Sequence, residues 1–249
     1  MNKLLIITIP FPDWEDSLKN NEHIIIRKGQ IQGKHILPIY NSDYFYKNSI
    51  FKNKKEIIEL LDNKSKFGKY MLHHFPESIP TIYYYQFSDE TYTNNRIIPK
   101  KLIQKPNVGC GGTGITIVDH INTRLKNHII SEYIEHETYY TGHFLVRNGI
   151  ILQKVFFCSS HPYKDGIKTG RIINYTVLPE LLVDDSIFTK IFINISYSGF
   201  ADCDFTIVNN KIIIFEINPR PGGSLIHNKV YFNKFIDTVM KLNFTYEFK

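Results

Sequence analysis

Apolar runs along the chain come in two patterns, separated by clusters of Gly, Pro, Asn and Asp. Short runs rich in Ile, Tyr and Phe and bounded by turn residues predict buried strands. They fall at residues 4–9, 23–26, 35–40, 81–85, 101–105, 128–134, 138–147, 150–158, 201–208 and 211–217. Asn148-Gly149 and Asn209-Asn210 split the last four into two hairpins, the first with a strong type I′ signal. Apolar positions at helical spacing predict amphipathic helices over 54–61, 66–74, 184–195 and 228–242. Asp184 or Asp185 opens the third of these. The polar stretch 88–95 and the glycine-rich stretch 107–114 predict loops. Strands and helices are interspersed, with hairpins, so the class is α+β, a mixed α/β arrangement rather than a pure doubly wound sheet.

Composition narrows this picture in three respects. The 249 residues are 43% hydrophobic and 22% charged, which excludes collagen-like, low-complexity and wholly disordered chains. The run at residues 4–9 is too short to cross a membrane and no signal-peptide cleavage region follows it, so the expectation is a cytoplasmic protein with no membrane partner. Cys110, Cys158 and Cys203 are widely spaced without any CxxC, which supports neither a zinc knuckle nor a disulfide framework. The formal charge of +6 suits nucleic acid or phosphorylated ligands, but the lysines are spread and form no basic cluster. A lysine-rich surface is therefore expected, with no nucleic acid as partner.

Candidate chemistry concentrates in three segments. In the second hairpin, antiparallel pairing brings Asp204 opposite Glu216, and side-chain alternation puts Asn218 on the same side as Glu216. Two carboxylates and an amide suit a hard divalent ion such as Mg²⁺; the competing reading is a solvated hairpin end. Glu216 follows an apolar run, where an unpaired carboxylate is costly, which favours the metal. The second segment is the glycine-rich stretch, with Gly109, Gly111, Gly112 and Gly114 directly after Lys105. Its N–H groups can cradle an anion beside a fixed positive charge, or it can be a flexible turn; it lacks the GK[ST] of a P-loop. The third is the acidic strand end Glu132, Glu135 and Glu137, suited to sugar hydroxyls or to plain solvation.

Taken in order, these segments resemble the ATP-grasp superfamily. The pattern Lys-Pro-x-x-Gly-x-Gly-Gly-x-Gly-Ile stands at residues 105–115, and Glu-Tyr-Ile with a following Glu at 132–137. Asp-Phe followed by Phe-Glu-Ile-Asn-Pro-Arg stands at 204–220, and Asn63-Lys64 with Ile79-Pro80 resembles the opening of the nucleotide-binding half. The resemblance spans about residues 54–240; Gly170-Arg171, Leu178-Pro179 and the Arg220-Pro221-Gly222-Gly223-Ser224 run look most like the carbamoyl-phosphate-synthase-like branch.

That resemblance implies two α+β lobes clasping ATP, after a short N-terminal Rossmann-like domain over residues 1–60. The small lobe with a glycine-rich lid would cover 61–133 and the large lobe with the Mg²⁺ site 134–249. Lys64 and Lys105 would contact phosphates, and backbone groups of Glu132 and Ile134 the adenine edge. Glu137 would hold the ribose. Asp204, Glu216 and Asn218 would bind Mg²⁺, two ions in all, with Mn²⁺ as a substitute. Arg220 would face the γ-phosphate or an acyl-phosphate, and Arg171, with Lys168, the acyl-phosphate or a substrate carboxylate. The implied activity is an ATP- and Mg²⁺-dependent ligase joining a small-molecule or peptide carboxylate to an amine through an acyl-phosphate. The segment before Lys64 is short, so a partner chain completing the substrate site, or a catalytically reduced ATP-binding subunit, is the alternative.

Overall fold

The computed structural model describes residues 5–8, 12–19, 21, 23–27, 36–39, 41, 44, 49–94, 96–109, 111–136, 138–159, 175–179 and 183–244. At the N-terminal side, β1 (Leu5–Thr8) and β2 (Ile24–Arg27) pair in parallel across α1 (Pro12–Leu18). Parallel neighbours need such a crossover. The strand expected at 35–40 reduces to a bridge between Ile36 and Ser49. Leu37 and Ile39 are nevertheless fully buried, so the apolar run reflects burial without strand pairing. This single parallel β-α-β crossover is what the described residues show of the Rossmann-like domain expected over residues 1–60.

α2 (Lys55–Asp62) and α3 (Lys64–His74) meet at Asn63. The Asn63 carboxamide accepts from the Ser65 and Lys66 N–H groups, a cap that starts α3 two residues before the expected 66. The first sheet comprises β3 (Ile82–Phe87), β4 (Glu90–Thr93), β5 (Leu102–Pro106), β6 (Thr116–Val118) and β7 (His128–Glu132). Its order is β4-β3-β7-β5-β6. β4 corrects the loop expected at 88–95: Ser88 takes φ 49° and the chain returns as a polar edge strand, with Tyr92 stacked on Tyr85 at 5.1 Å. Edge strands tolerate polar side chains on both faces, so no alternation marked it. α3 lies close on this sheet at Gly68, where a Cβ would sit 2.8 and 2.9 Å from the Ile82 and Ile129 Cδ1 atoms.

The second sheet contains β8 (Tyr139–Arg147), β9 (Ile150–Ser159), β10 (Thr176–Leu178), β11 (Gly199–Val208) and β12 (Lys211–Asn218). Its order is β10-β9-β8-β11-β12, antiparallel at each pairing. Both expected hairpins form, with φ of 48° and 82° at Asn148-Gly149 and 50° and 60° at Asn209-Asn210. Positive φ at both turn positions matches strand twist, which is why Asn and Gly stand there. α4 (Ser186–Ile195), the short α5 (Gly223–His227) and α6 (Lys229–Phe244) complete the chain. The main core includes Phe144, Phe156, Phe188, Phe192 and Phe205, and it also takes Leu61 of α2 and Phe67 and Met71 of α3. These helices therefore tie the first sheet to the second. No described helix is long and apolar enough to cross a membrane.

Candidate functional site

The site begins with a break in the apolar pattern of two central strands. Along β11, Ala201, Cys203 and Phe205 enter the core, while Asp202 and Asp204 alternate with them. The register sets Thr141 of β8 opposite Asp204, and Asp204 opposite Glu216. One step along, His143 stands opposite Asp202, and Asp202 opposite Asn218. Because alternate residues share a face, the two rows form a polar patch on one side of an otherwise apolar sheet. Thr141 Oγ1 donates to Asp204 Oδ1 at 3.1 Å, and Asn218 Nδ2 donates to Glu216 Oε1 at 3.2 Å. His143 Nδ1 is 3.3 Å from Asp202 Oδ1, and its Nε2 shares a 2.7 Å hydrogen bond with Ser224 Oγ.

Two lysines from the other half of the molecule meet this patch. Lys64, the first residue of α3, places its ammonium 3.0 Å from Glu216 Oε2 and 3.5 Å from the Gly109 carbonyl. Lys105 of β5 sits over the Phe215 ring, 5.3 Å from its centroid. Burial alone would raise the Glu216 carboxyl, but the Lys64 and Lys105 charges and the Lys64 and Asn218 hydrogen bonds hold it down at about 2. Burial pushes the Lys105 ammonium down, opposed by Glu216 and Asp204 and reinforced by Lys64. The cluster is thus a mixed-charge junction where the two sheets approach.

The glycine-rich stretch leaves this junction from a fixed base. Gly111, Gly112 and Gly114 hold φ of 63°, 77° and 74°, a region open to glycine. Buried Asn107 anchors the start of the stretch. Its amide nitrogen donates to the Gln86 carbonyl at 2.7 Å, its Oδ1 accepts from Ser65 Oγ, and its carbonyl accepts from the Lys64 N–H at 2.8 Å. Asn107→Ala is expected to cost roughly 1–3 kcal/mol by stranding buried partners. A lower thermal midpoint, by on the order of 3–10 °C, would register it; an unchanged midpoint would show that the anchor carries no stability.

The remaining expected residues fall in different places. The Glu132 N–H is engaged with the Thr81 carbonyl at 2.8 Å, and the Ile134 carbonyl with His136 Nδ1 at 2.8 Å. Arg220 stands two residues after Asn218, across Pro219, is half-buried, and its guanidinium bonds no described residue. Glu137, Lys168 and Arg171, like Cys110 and the segment 161–171, lie outside the described residues. His227 is exposed and shares a 3.0 Å hydrogen bond with Ser17, a contact between α1 and α5. Sequence reasoning missed Thr141, Asp202, Ser224 and Asn107 and gave His143 no role. The Thr-x-His and Asp-x-Asp alternations inside apolar strands were the available signal.

Chemically, the patch offers oxygen donors beside fixed cations. Among the described residues no group of three or more His, Cys, Asp and Glu is arranged to hold a metal alone. Asp204, Glu216 and Asn218 still fit Mg²⁺, which takes one or two carboxylates and completes its shell with phosphate oxygens and water.

A family profile described as an ATP-grasp domain matches residues 61–224, more than half of the chain. No curated protein matches the chain significantly. Among solved structures, it is similar to the D-alanine–D-alanine ligase of Bacillus anthracis complexed with ATP, with TM-score 0.55 and 14% identity over 97% of both chains. It is also similar to the L-amino acid ligase of Bacillus licheniformis, with TM-score 0.60 and 12% identity over 92% of this chain and 70% of that one. A third is the N5-carboxyaminoimidazole synthase of Aspergillus clavatus in complex with ADP and 5-aminoimidazole ribonucleotide, with TM-score 0.62 and 9% identity over 96% and 77%. At these identities the likeness is one of fold. With the profile match spanning the lysines, the glycine-rich stretch and the Asp204–Asn218 patch, the chain belongs to the ATP-grasp family.

Proposed function

We propose that this protein is an ATP- and Mg²⁺-dependent ligase that joins a carboxylate to an amine-type nucleophile through an acyl-phosphate. The observation that carries the reading is Lys64, which links the glycine-rich stretch at Gly109 to Glu216 on the opposite sheet. Phosphoryl transfer depends mainly on positioning and charge neutralisation, and this junction supplies both. In this reading residues 61–133 form the small lobe and 134–249 the large lobe. Lys64 and Lys105 hold phosphates, and the Glu132 carbonyl and Ile134 N–H take the adenine edge, with Glu137 on the ribose. Asp204, Glu216 and Asn218 hold Mg²⁺, two ions in all, which neutralise phosphate charge when bound. Gly111, Gly112 and Gly114 let the loop close over the phosphates and exclude water from the acyl-phosphate. Arg220, with Arg171 and Lys168, faces the transferred phosphoryl group or the substrate carboxylate. An ATP-using enzyme with the free thiols of Cys158 and Cys203 suits a cytoplasmic setting.

The test is thermal unfolding with and without ATP plus Mg²⁺. Ligand at about 100 times Kd stabilises by roughly 2.7 kcal/mol, a midpoint rise on the order of 5–10 °C for a chain of this size. ADP release with pooled carboxylates and amines completes it. No shift with any nucleotide would overturn the reading. A Mg²⁺-dependent shift without turnover would instead favour a catalytically reduced ATP-binding subunit.

A further inference from the structure

The row formed by His143, Asp202 and Ser224 lies outside the set assigned above, yet it adjoins that set directly. His143 is fully buried and joins two elements: β11 through Asp202, at 3.3 Å, and α5 through Ser224, at 2.7 Å. Between these anchors runs the turn from Asn218 to Ser224, which carries Arg220. The turn is packed from both sides. A Cβ on Gly222 would overlap the Asp202 carboxylate, 2.5 Å from its Cγ. A Cβ on Gly223 would lie 3.8 Å from Trp14 Nε1 of α1. At its start, the Arg220 N–H donates to the Asn218 carbonyl at 2.8 Å. Arg220 is therefore suspended between the Asn218 end of the metal set and the Ser224 end held by His143.

A buried histidine that is hydrogen-bonded through Nε2 to Ser224 and sets Nδ1 within 3.3 Å of the Asp202 carboxylate is costly to maintain unless both contacts are kept, and it restrains what it touches. A purely apolar strand residue at position 143 would pack equally well beside Phe157, whose ring meets the imidazole edge-on at 5.4 Å. The polar choice thus specifies the turn rather than the core. We propose that His143 is a positioning residue of the site: through Ser224 and Asp202 it sets the Arg220–Ser224 turn, and so the placement of Arg220 for the anionic group that is transferred or attacked. This rests on the ligase reading above. Lys64 and Lys105 meet the patch at Glu216, in the Thr141–Asp204–Glu216 row rather than in the row of His143.

The experiment uses the full chain, ATP plus Mg²⁺, and pooled L-amino acids with D-alanine as probe substrates. ADP release and the nucleotide-induced melting shift are followed in parallel. His143→Phe is expected to lower kcat roughly 10- to 100-fold, the range seen when a supporting hydrogen-bond shell is removed, with the KM for ATP and the melting shift unchanged. Ser224→Ala should give a similar loss, and the double variant should be no worse than the poorer single, as for residues acting as one unit. His143→Gln, whose side-chain amide can reach Ser224, should recover part of kcat. Wild-type kcat in His143→Phe would overturn the proposal. Parallel loss of nucleotide shift and turnover, or multiplying losses in the double variant, would reduce His143 to a fold-supporting residue and overturn it as well. A wild-type chain that shows neither the melting shift nor ADP release would overturn the ligase reading itself, and this role with it; so would nucleotide binding with no ADP release on any probe.

Discussion

Glu216→Gln is expected to remove the ATP·Mg²⁺ stabilisation and to lower turnover by roughly 100-fold or more, the scale for loss of one preorganised charge-stabilising group. The substitution is isosteric, so packing against β11 survives, while the charge facing Lys64 at 3.0 Å and Lys105 is lost. With the Lys64 side chain only 11% exposed, the nucleotide-free protein is also expected to lose stability, by roughly 1–3 kcal/mol. The pH dependence has a fixed sign. The Glu216 carboxyl is held at about 2, below its ordinary 4.5. Its contribution is therefore fully present above pH 4.5 and is lost as pH falls from there through 2. In the absence of metal and nucleotide, the stability gap between wild type and variant should be flat near neutrality and close through that window. Unfolding curves across pH, together with ADP release, check all three effects. Undiminished turnover in the variant would remove Glu216 from the metal set.

Gly222→Ala carries the second large effect, and its cause is steric. The backbone at Gly222 has φ −86° and ψ 160°, a conformation any residue adopts, so no backbone strain arises. The added methyl instead meets the Asp202 carboxylate, which is itself buried beside His143. Overpacking of this kind costs roughly 1–3 kcal/mol. Turnover should fall at least about tenfold as the turn carrying Arg220 is pushed off the sheet, whereas the ATP·Mg²⁺ melting shift should persist. In an Asp202→Ala background the same methyl should cost less, a coupling that a double-mutant cycle measures directly. Equal costs in both backgrounds would show that the clash is relieved elsewhere.

Both effects depend on residues of unequal visibility in the sequence. Asp204 and Glu216 could be placed opposite one another because a two-residue Asn-Asn turn sets the hairpin register, and register follows from counting. Lys64 could be singled out only by resemblance, since nothing local connects the first residue of a helix to a strand some 150 positions later. β4 and β6 escaped because short edge strands carry no alternation, and the run at 35–40 was misread because burial without pairing leaves the same apolar signature.

The sequence alone determined the hairpins, the helices with clear apolar stripes, the mixed α+β class and the pairing of Asp204 with Glu216. These depend on local turn chemistry and on periods of 2 and 3.6 residues, which a linear chain displays. Tertiary structure decided which strands neighbour which across long connections. It joined β8 to β11, and so aligned Thr141 and His143 with the two aspartates. It also brought Lys64 and Lys105 from the first sheet's side onto Glu216 of the second, and folded Ser224 back onto His143. Such contacts are set by how whole sheets and helices share a core. The chain records them only as isolated polar residues in apolar strands, whose partners become defined when the sheets close on one another.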